Sequence, residues 1–149
     1  MSTCLIRPYS CADLAACTAI LAVAGRTTYG PVAGSAAFMA ATQGEDLLVA
    51  ECDGTVAGFA AVYTGDAPEY FLHHLYVHPA HSGQGMGTQL LAAVAARFGP
   101  RLSLKTQLVN TGARRLYARA GWIEDAGDGG VDAMGAWIRV RYRAAGPVR

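Results

Sequence analysis

The stretch that decides the fold is residues 75–91, LYVHPAHSGQGMGTQLL. An apolar strand ends at Pro79, three glycines follow at alternate positions (Gly83, Gly85 and Gly87), and a leucine-containing helix then begins. Such a turn exposes backbone N–H groups at the positive end of the helix dipole, an arrangement typical of phosphate binding. Thr88 adds a hydroxyl at the same place. The stretch therefore predicts a strand–loop–helix unit that holds a phosphate group.

Two common phosphate loops do not fit this spacing. A Walker A loop needs G-x-x-x-x-G-K-[ST], and no lysine follows any of these glycines. A dinucleotide loop needs G-x-G-x-x-G after the first strand and an acidic residue about twenty positions later. Here the glycines follow a G-x-G-x-G pattern, and the next acid after them is Glu124. Both classes of nucleotide-binding loop are therefore disfavoured. The alternative to a phosphate site is a plain tight turn before a helix.

The rest of the chain predicts a mixed α/β sheet in the order β-α-α-β-β-β-α-β-α-β-β. A capping box of Ser10 and Asp13 starts the first helix, and Asp53-Gly54 marks a tight hairpin turn. Alternation predicts that Leu102, Leu104, Thr106 and Leu108 share one face of a strand. The predicted strands are residues 4–10, 46–63 (the hairpin), 70–79, 101–109 and 138–142. The predicted helices run from Ser10 to Gly25, over residues 35–43, through Leu90, Leu91, Val94 and Phe98, and from Ala113 to Gly121.

Length and composition favour one compact domain over residues 1–149, because 149 residues with 52% hydrophobic content can bury one core. The four cysteines form no C-x-x-C pair and no metal-ligand spacing, so we expect free thiols in a reducing cytoplasm. No apolar run approaches the ~20 residues that span a bilayer, and no signal peptide is recognisable. These features predict a soluble cytoplasmic protein that binds no membrane.

The net charge of +1 conceals an asymmetry along the chain. Between Tyr70 and Ile123 there is no acidic residue, whereas the same stretch carries six basic ones: Arg97, Arg101, Lys105, Arg114, Arg115 and Arg119. A basic segment centred on a glycine loop favours a multiply charged anion as ligand. For most of these arginines taken singly, a solvated basic surface is the simpler interpretation.

Two motifs resemble the GNAT superfamily of N-acetyltransferases. Residues 75–91 resemble its acetyl-CoA signature, in which an L-x-V-x-P strand end leads into [RQ]-x-x-G-x-[GA] and a leucine-rich helix. The segment NTGARRLYARAGW, residues 110–122, resembles the family's N-x-x-A-x-x-L-Y-x-x-x-G-[FW] helix. Before Asp46 the resemblance rests on element order alone. Ser82 stands where the family has Arg or Gln, so one side-chain donor is missing there, and Gln84 is the candidate replacement.

The resemblance implies a GNAT fold, with a mostly antiparallel sheet of about seven strands, four helices and splayed central strands that bind acetyl-CoA. It implies acetyl-CoA as cosubstrate and no metal. The strand LHHLYV would carry a bulge, and its backbone amides would polarise the thioester carbonyl. The residues implied to bind the cofactor are Leu75, Tyr76, Val77, Ser82, Gly83, Gln84, Gly85, Met86, Gly87, Thr88, Asn110 and Ala113.

The same resemblance implies an acid and a base. Tyr117 matches the family tyrosine that protonates the leaving thiolate, the alternative being a core tyrosine. His73 is the first candidate for the base that deprotonates the amine, and Glu69 is the second. Strand alternation predicts His73 on one face with Phe71, Leu75 and Val77, and His74 on the other with Leu72 and Tyr76.

The resemblance places the acceptor pocket in residues 26–42 and 123–137. The second segment holds four acids, Glu124, Asp125, Asp128 and Asp132, which either attract a cationic amine or form a solvated acidic loop. The main hypothesis is an N-acetyltransferase for a small-molecule or peptide amine. A non-catalytic acyl-CoA sensor is the alternative, and a nucleic-acid binder is disfavoured because the basic stretch lacks interleaved aromatics. Dimers are common in the family, so a homodimer is compatible with the resemblance.

Overall fold

A computed structural model describes residues 3–24 and 34–143. Within these ranges, seven strands form one sheet in the order β1-β2-β3-β4-β5-β7-β6. Four helices of the same ranges cover this sheet, in the order predicted from the sequence. The strands are β1 (Cys4–Pro8), β2 (Glu45–Cys52), β3 (Thr55–Tyr63), β4 (Tyr70–Val77), β5 (Leu102–Gln107), β6 (Trp122–Asp132) and β7 (Gly135–Tyr142), and the helices are α1 (Leu14–Ala24), α2 (Gly34–Ala41), α3 (Met86–Phe98) and α4 (Thr111–Arg119).

Local sequence signals fix several of these boundaries. The Ser10 N–H donates to Asp13 Oδ2 at 2.8 Å, so the capping box precedes α1 through a short 3-10 turn. Asp53 and Gly54 take φ values of 50° and 81°, as a tight two-residue hairpin turn requires. The predicted helix end at Gly25 and the loop that follows it lie outside the described residues.

Two apolar clusters fill the two sides of the sheet. The cluster beneath α3 includes Leu90, Leu91 and Val94 together with Leu72 of β4 and Leu104 of β5. The cluster beneath α1 and α2 contains Cys17, Ile20, Leu21, Phe38, Val49 and Phe59. Because both faces are covered, β3 is almost entirely buried, and its residues from Ala57 to Val62 are apolar or glycine.

The expectation of four free thiols is wrong for two cysteines. Antiparallel pairing of β1 with β2 places Cys4 opposite Cys52, with Cα atoms 4.1 Å apart, and their Sγ atoms are joined in a disulfide. A separation of 48 positions along the chain concealed this pairing. Cys11, which is exposed, and Cys17, which is buried, are free. The cysteines therefore no longer support the prediction of a reducing compartment.

Strand β5 is shorter than predicted. It ends at Gln107, so Leu108 lies beyond it and is 37% exposed, whereas Leu102, Leu104 and Thr106 share the buried face as expected. Across residues 3–24 and 34–143, no helix is long and apolar enough to cross a membrane.

Candidate active site

The centre of the sheet is open between β4 and β5. These parallel strands pair only at Tyr70–Leu102 and Phe71–Ser103. From Leu72 to Val77, the edge of β4 that faces β5 has no ladder partner in β5. The splayed central strands expected from the sequence are therefore confirmed, and they leave a gap with backbone polar groups along one wall.

A cavity of about 380 Å³ occupies this gap. It brings together Tyr117 and His73, which were predicted to act as acid and base, with several of the predicted cofactor-binding residues. Its lining on the sheet side comes from β4 and β5, and on the helical side from α3 and α4. The predicted residues in its wall are His73, Leu75, Tyr76, Val77, Gly87, Asn110, Ala113 and Tyr117.

A β-bulge lies in β4, as the resemblance implied. Leu72 pairs with Val62 and His74 with Ala61, so His73 is the extra residue between them. The bulge breaks strand alternation, and the predicted faces are therefore wrong on one point. Leu72 belongs to the cluster beneath α3 together with Leu75, whereas His74 is buried against the rings of Phe59 and Tyr76 on the opposite side.

Tyr117 lies in the last turn of α4 and forms part of the cavity wall. Burial raises the pKa of its phenol to about 12, and the nearby Tyr76 adds to the rise. The phenol therefore stays protonated throughout the neutral range and is a hydrogen-bond donor at the gap. Its ring centroid lies 6.3 Å from that of Trp122, so the Tyr117 side chain lies on the side of α4 that is near Trp122.

His73 contacts a carboxylate that the sequence did not single out. Its Nδ1 lies 2.6 Å from Oε2 of Glu45, the first residue of β2. His74 is 1% exposed, and its Nε2 lies 3.0 Å from the carbonyl oxygen of Ala41. Burial, and then the adjacent His73, lowers the pKa of His74 to about 4, so this ring is neutral at pH 7.

The donor atoms of Glu45, His73 and His74 all lie within 4.8 Å of one another, a spacing that a metal ion could also bridge. A metal would have to displace the His73–Glu45 and His74–Ala41 hydrogen bonds. We therefore interpret the cluster as a hydrogen-bonded network. The expectation of no metal stays a prediction.

The glycine loop adjoins the cavity through Gly87. Gly83 and Gly85 have φ values of 77° and 81°, a left-handed conformation that favours glycine, and Gly85 is the N-cap of α3. At Gly87 a Cβ atom would lie 3.2 Å from Leu116 Cδ2, so the missing side chain lets α3 approach α4. The loop thus presents the N-terminus of a 13-residue helix at the mouth of the gap.

The four residues other than glycine that were predicted to bind the cofactor at the loop lie in different environments. Ser82 Oγ donates to the Pro79 carbonyl at 2.9 Å, and Gln84 is exposed. Met86 is 2% exposed in the core, so it can offer a ligand only its backbone. Thr88, in the first turn of α3, lines a separate hollow beside Trp122.

Asn110 is the N-cap of α4. Its Oδ1 accepts from the Ala113 N–H at 3.3 Å, which leaves the carboxamide NH₂ as its remaining donor in the cavity wall. Capping thus accounts for one end of this side chain, and the other end is available to a ligand.

The structure does not bring Glu69 to the gap. Glu69 precedes β4, its side chain is 59% exposed, and it pairs with Arg101 at 3.0 Å. It lines a separate hollow with Tyr63 and Asp66. Of the two candidate bases, only His73 lies beside Tyr117.

The acidic segment is a strand and not a solvated loop. Its residues form β6, which pairs with β7 around a bulge between Asp125 and Gly129. Three of its acids bind arginines of α4 and β7, and Asp132 accepts a hydrogen bond from the Met134 N–H. The ion pairs are Glu124–Arg114 at 2.8 Å, Asp125–Arg141 at 3.0 Å, Asp128–Arg139 at 2.9 Å and Asp128–Arg141 at 3.0 Å. These arginines compensate the charge expected to attract a cationic amine.

The basic stretch is also partly neutralised. Arg114 pairs with Glu124 and Arg101 with Glu69, while Lys105 lies over the Trp137 ring at 4.1 Å. Lys105 and Gln107 of β5 line the cavity, although neither residue was predicted from the sequence to belong to the site. Alternation along β5 was the available signal, because both occupy the face opposite Leu104 and Thr106.

Comparison with known proteins agrees with this geometry. The sequence profile of the Acetyltransferase (GNAT) family matches residues 20–122. A ribosomal-protein-S18-alanine N-acetyltransferase from Escherichia coli has the same fold, with a TM-score of 0.74 and 22% identity over 97% of each chain. The yncA protein of Salmonella typhimurium, solved with its cofactor acetyl-CoA, gives a TM-score of 0.66 and 28% identity over 93% of this chain and 90% of that one.

One curated relative is the mycothiol acetyltransferase of Kineococcus radiotolerans, 45% identical over 78 residues. The match covers 50% of this chain and about a quarter (26%) of that protein's length. The splayed sheet and the glycine loop agree with the family profile. The chain belongs to the GNAT acetyltransferase family.

Proposed function

We propose that this protein transfers an acetyl group from acetyl-CoA to a primary amine of a small molecule or a peptide by direct attack. The observation that carries the proposal is the cavity between β4 and β5, which holds Tyr117, His73 and the unladdered edge of β4 beside a glycine loop. An enzyme that holds both partners in one cavity replaces an encounter in solution by a local reaction, and this supplies much of the rate enhancement.

Each part of the site has a role in this reaction. The N–H groups of the glycine loop and the first turn of α3 bind the pyrophosphate, and Asn110 and Ala113 lie beside the pantetheine arm. Backbone amides near Leu75 to Val77 stabilise the oxyanion as the amine attacks the thioester carbonyl carbon. Ser82 and Gln84 border the loop, and Met86 contributes its backbone N–H.

Two proton transfers complete the chemistry. His73 takes a proton from the amine, and Tyr117 donates one to the sulfur as the carbon–sulfur bond breaks. The products are an N-acetylated amine and the free thiol of coenzyme A. The two relatives named for a ribosomal-protein alanine and for mycothiol support the breadth of this acceptor class, from protein to small molecule.

The test is thiol release from acetyl-CoA with a panel of primary amines and amino-terminal peptides, with mass spectrometry of the products. We expect turnover with at least one amine, saturation in acetyl-CoA, and a product heavier by one acetyl group. Tight binding of acetyl-CoA without turnover on any amine would contradict the proposal and favour an acyl-CoA sensor.

A further inference from the structure

The carboxylate of Glu45 contacts a histidine that lines the active-site gap. Glu45 begins β2, which is separated from β4 by β3, and its side chain is only 5% exposed. One oxygen, Oε2, lies 2.6 Å from His73 Nδ1. The other, Oε1, is buried, has no hydrogen-bond partner among residues 3–24 and 34–143, and lies 3.7 Å from His74 Nε2. A buried, half-satisfied carboxylate is costly, so its placement needs an explanation.

The bulge in β4 explains how Glu45 meets His73. In a regular strand, two successive side chains point to opposite faces. Because His73 is the extra residue at the bulge, its ring centroid lies 4.0 Å from that of His74, and Glu45 contacts both. His73 also lines the cavity with Tyr117, so one imidazole joins the buried carboxylate to the gap.

The contact determines which imidazole nitrogen can act as a base. A carboxylate only accepts hydrogen bonds, so the short contact places a proton on Nδ1. The lone pair of the neutral ring is then on Nε2. His74 does not compete for the base role, because it is 1% exposed and does not line the cavity.

We propose that Glu45 is a positioning residue that holds His73 in the Nδ1–H tautomer and stabilises its protonated form during acetyl transfer. This inference rests on the proposed function and deepens it. Among the described residues, Glu45 of β2 contacts His73, His74 lies beside it in β4, and Tyr76, Lys105 and Tyr117 line the same cavity. Glu45 is the carboxylate among them, so it is the group that can accept the Nδ1 hydrogen bond.

Glu45→Gln keeps the size of the side chain and removes its charge. We expect kcat to fall roughly 10- to 100-fold, which is part of what a general base supplies, while the KM for acetyl-CoA stays within about twofold. Asp46→Asn, an exposed acid beside Glu45, should leave both parameters unchanged.

A double-variant cycle distinguishes the coupling of Glu45 to His73 from a structural effect of the Glu45 substitution. Glu45→Gln combined with His73→Gln should be no slower than His73→Gln alone, since Glu45 acts through His73. Additive losses would overturn the proposal, and so would a Glu45→Gln enzyme with the kcat of the wild type.

One readout needs no folded variant and no turnover. Nitrogen-15 NMR of the wild-type protein should show His73 protonated at Nδ1 and unprotonated at Nε2 in its neutral form. The opposite tautomer would overturn the proposal. Should the amine panel give no product, the proposed function fails, yet this spectrum still decides whether Glu45 sets the tautomer.

Discussion

Neighbouring residues of one strand carry opposite roles in this protein. His73 and His74 are adjacent in sequence, but the bulge leaves His73 at the cavity and buries His74 in the apolar cluster beneath α1 and α2. The pair of histidines was visible in the sequence. The family resemblance predicted the bulge. It did not predict on which face each ring lies, because one inserted residue reverses the face of every residue on one side of it.

At this scale we predict that His74 makes the fold sensitive to acid. Its folded pKa of about 4 lies below the ordinary value of 6.5, so its contribution is complete above pH 6.5 and is lost as the pH falls towards 4. The loss should be roughly 2–3 kcal/mol in the free energy of unfolding. Urea unfolding at pH 7 and pH 4.5 should show a smaller decrease for His74→Gln than for the wild type.

The surface-turn variant His81→Gln controls for losing a histidine outside the core, and it should keep the wild-type pH dependence. Equal decreases in the wild type and in His74→Gln would refute the assignment. Asp13, whose pKa is lowered to about 2 by its hydrogen bond from Arg7, is present in all three proteins, so its contribution cancels in the comparison.

The element most completely predicted from sequence is the glycine loop with α3. Its glycine spacing, the strand end at Pro79 and the apolar face of the helix all follow from local chemistry, so β4, the loop and α3 occur in the predicted order. The β6–β7 hairpin was less predictable. Its glycines and acids have low strand propensity, and its ion pairs with Arg139 and Arg141 arise only from the register of the hairpin.

For the loop we predict that Gly85→Ala weakens acetyl-CoA binding. Gly85 has a φ of 81°, where an alanine is strained by about 1–2 kcal/mol. Relief of this strain should displace the N–H groups at the start of α3 and raise the KM for acetyl-CoA by about tenfold. The measurement is the KM together with the unfolding temperature.

Gly44→Ala is the matched control, because Gly44 has a similar φ of 75° and no atom within 4 Å of an added Cβ. It should lower stability comparably and leave the KM unchanged. If both variants changed the KM equally, the loop would have no special role in binding.

Across the whole molecule, features that join distant segments were the hardest to foresee. The element order and the acetyl-CoA signature were available in the chain. The Cys4–Cys52 disulfide and the Glu45–His73 contact were not, because each joins residues far apart in sequence through strand register. An acid at the start of β2, in phase with partly buried Leu47 and buried Val49, was the one signal for Glu45.

The disulfide should stabilise the whole fold, because it ties β1 to β2 and closes a long loop. We expect reduction, or Cys4→Ser, to lower the free energy of unfolding by roughly 2–4 kcal/mol. The check is denaturant unfolding with and without reductant, and Cys11→Ser serves as the control because Cys11 is free. An intact mass two hydrogens heavier under oxidising conditions, with no effect of reductant on stability, would show that the bridge does not form.

The most direct test of the account is the turnover of Tyr117→Phe compared with Tyr63→Phe on the best acceptor amine. Both changes remove one hydroxyl, but Tyr117 lines the gap and Tyr63 lies in a separate surface hollow. A general acid contributes roughly 10²- to 10⁴-fold, so Tyr117→Phe should lose at least about 100-fold in kcat with the KM for acetyl-CoA nearly unchanged. Tyr63→Phe should behave as the wild type. A Tyr117→Phe enzyme with wild-type kcat would contradict the assignment of the gap as the site of acetyl transfer.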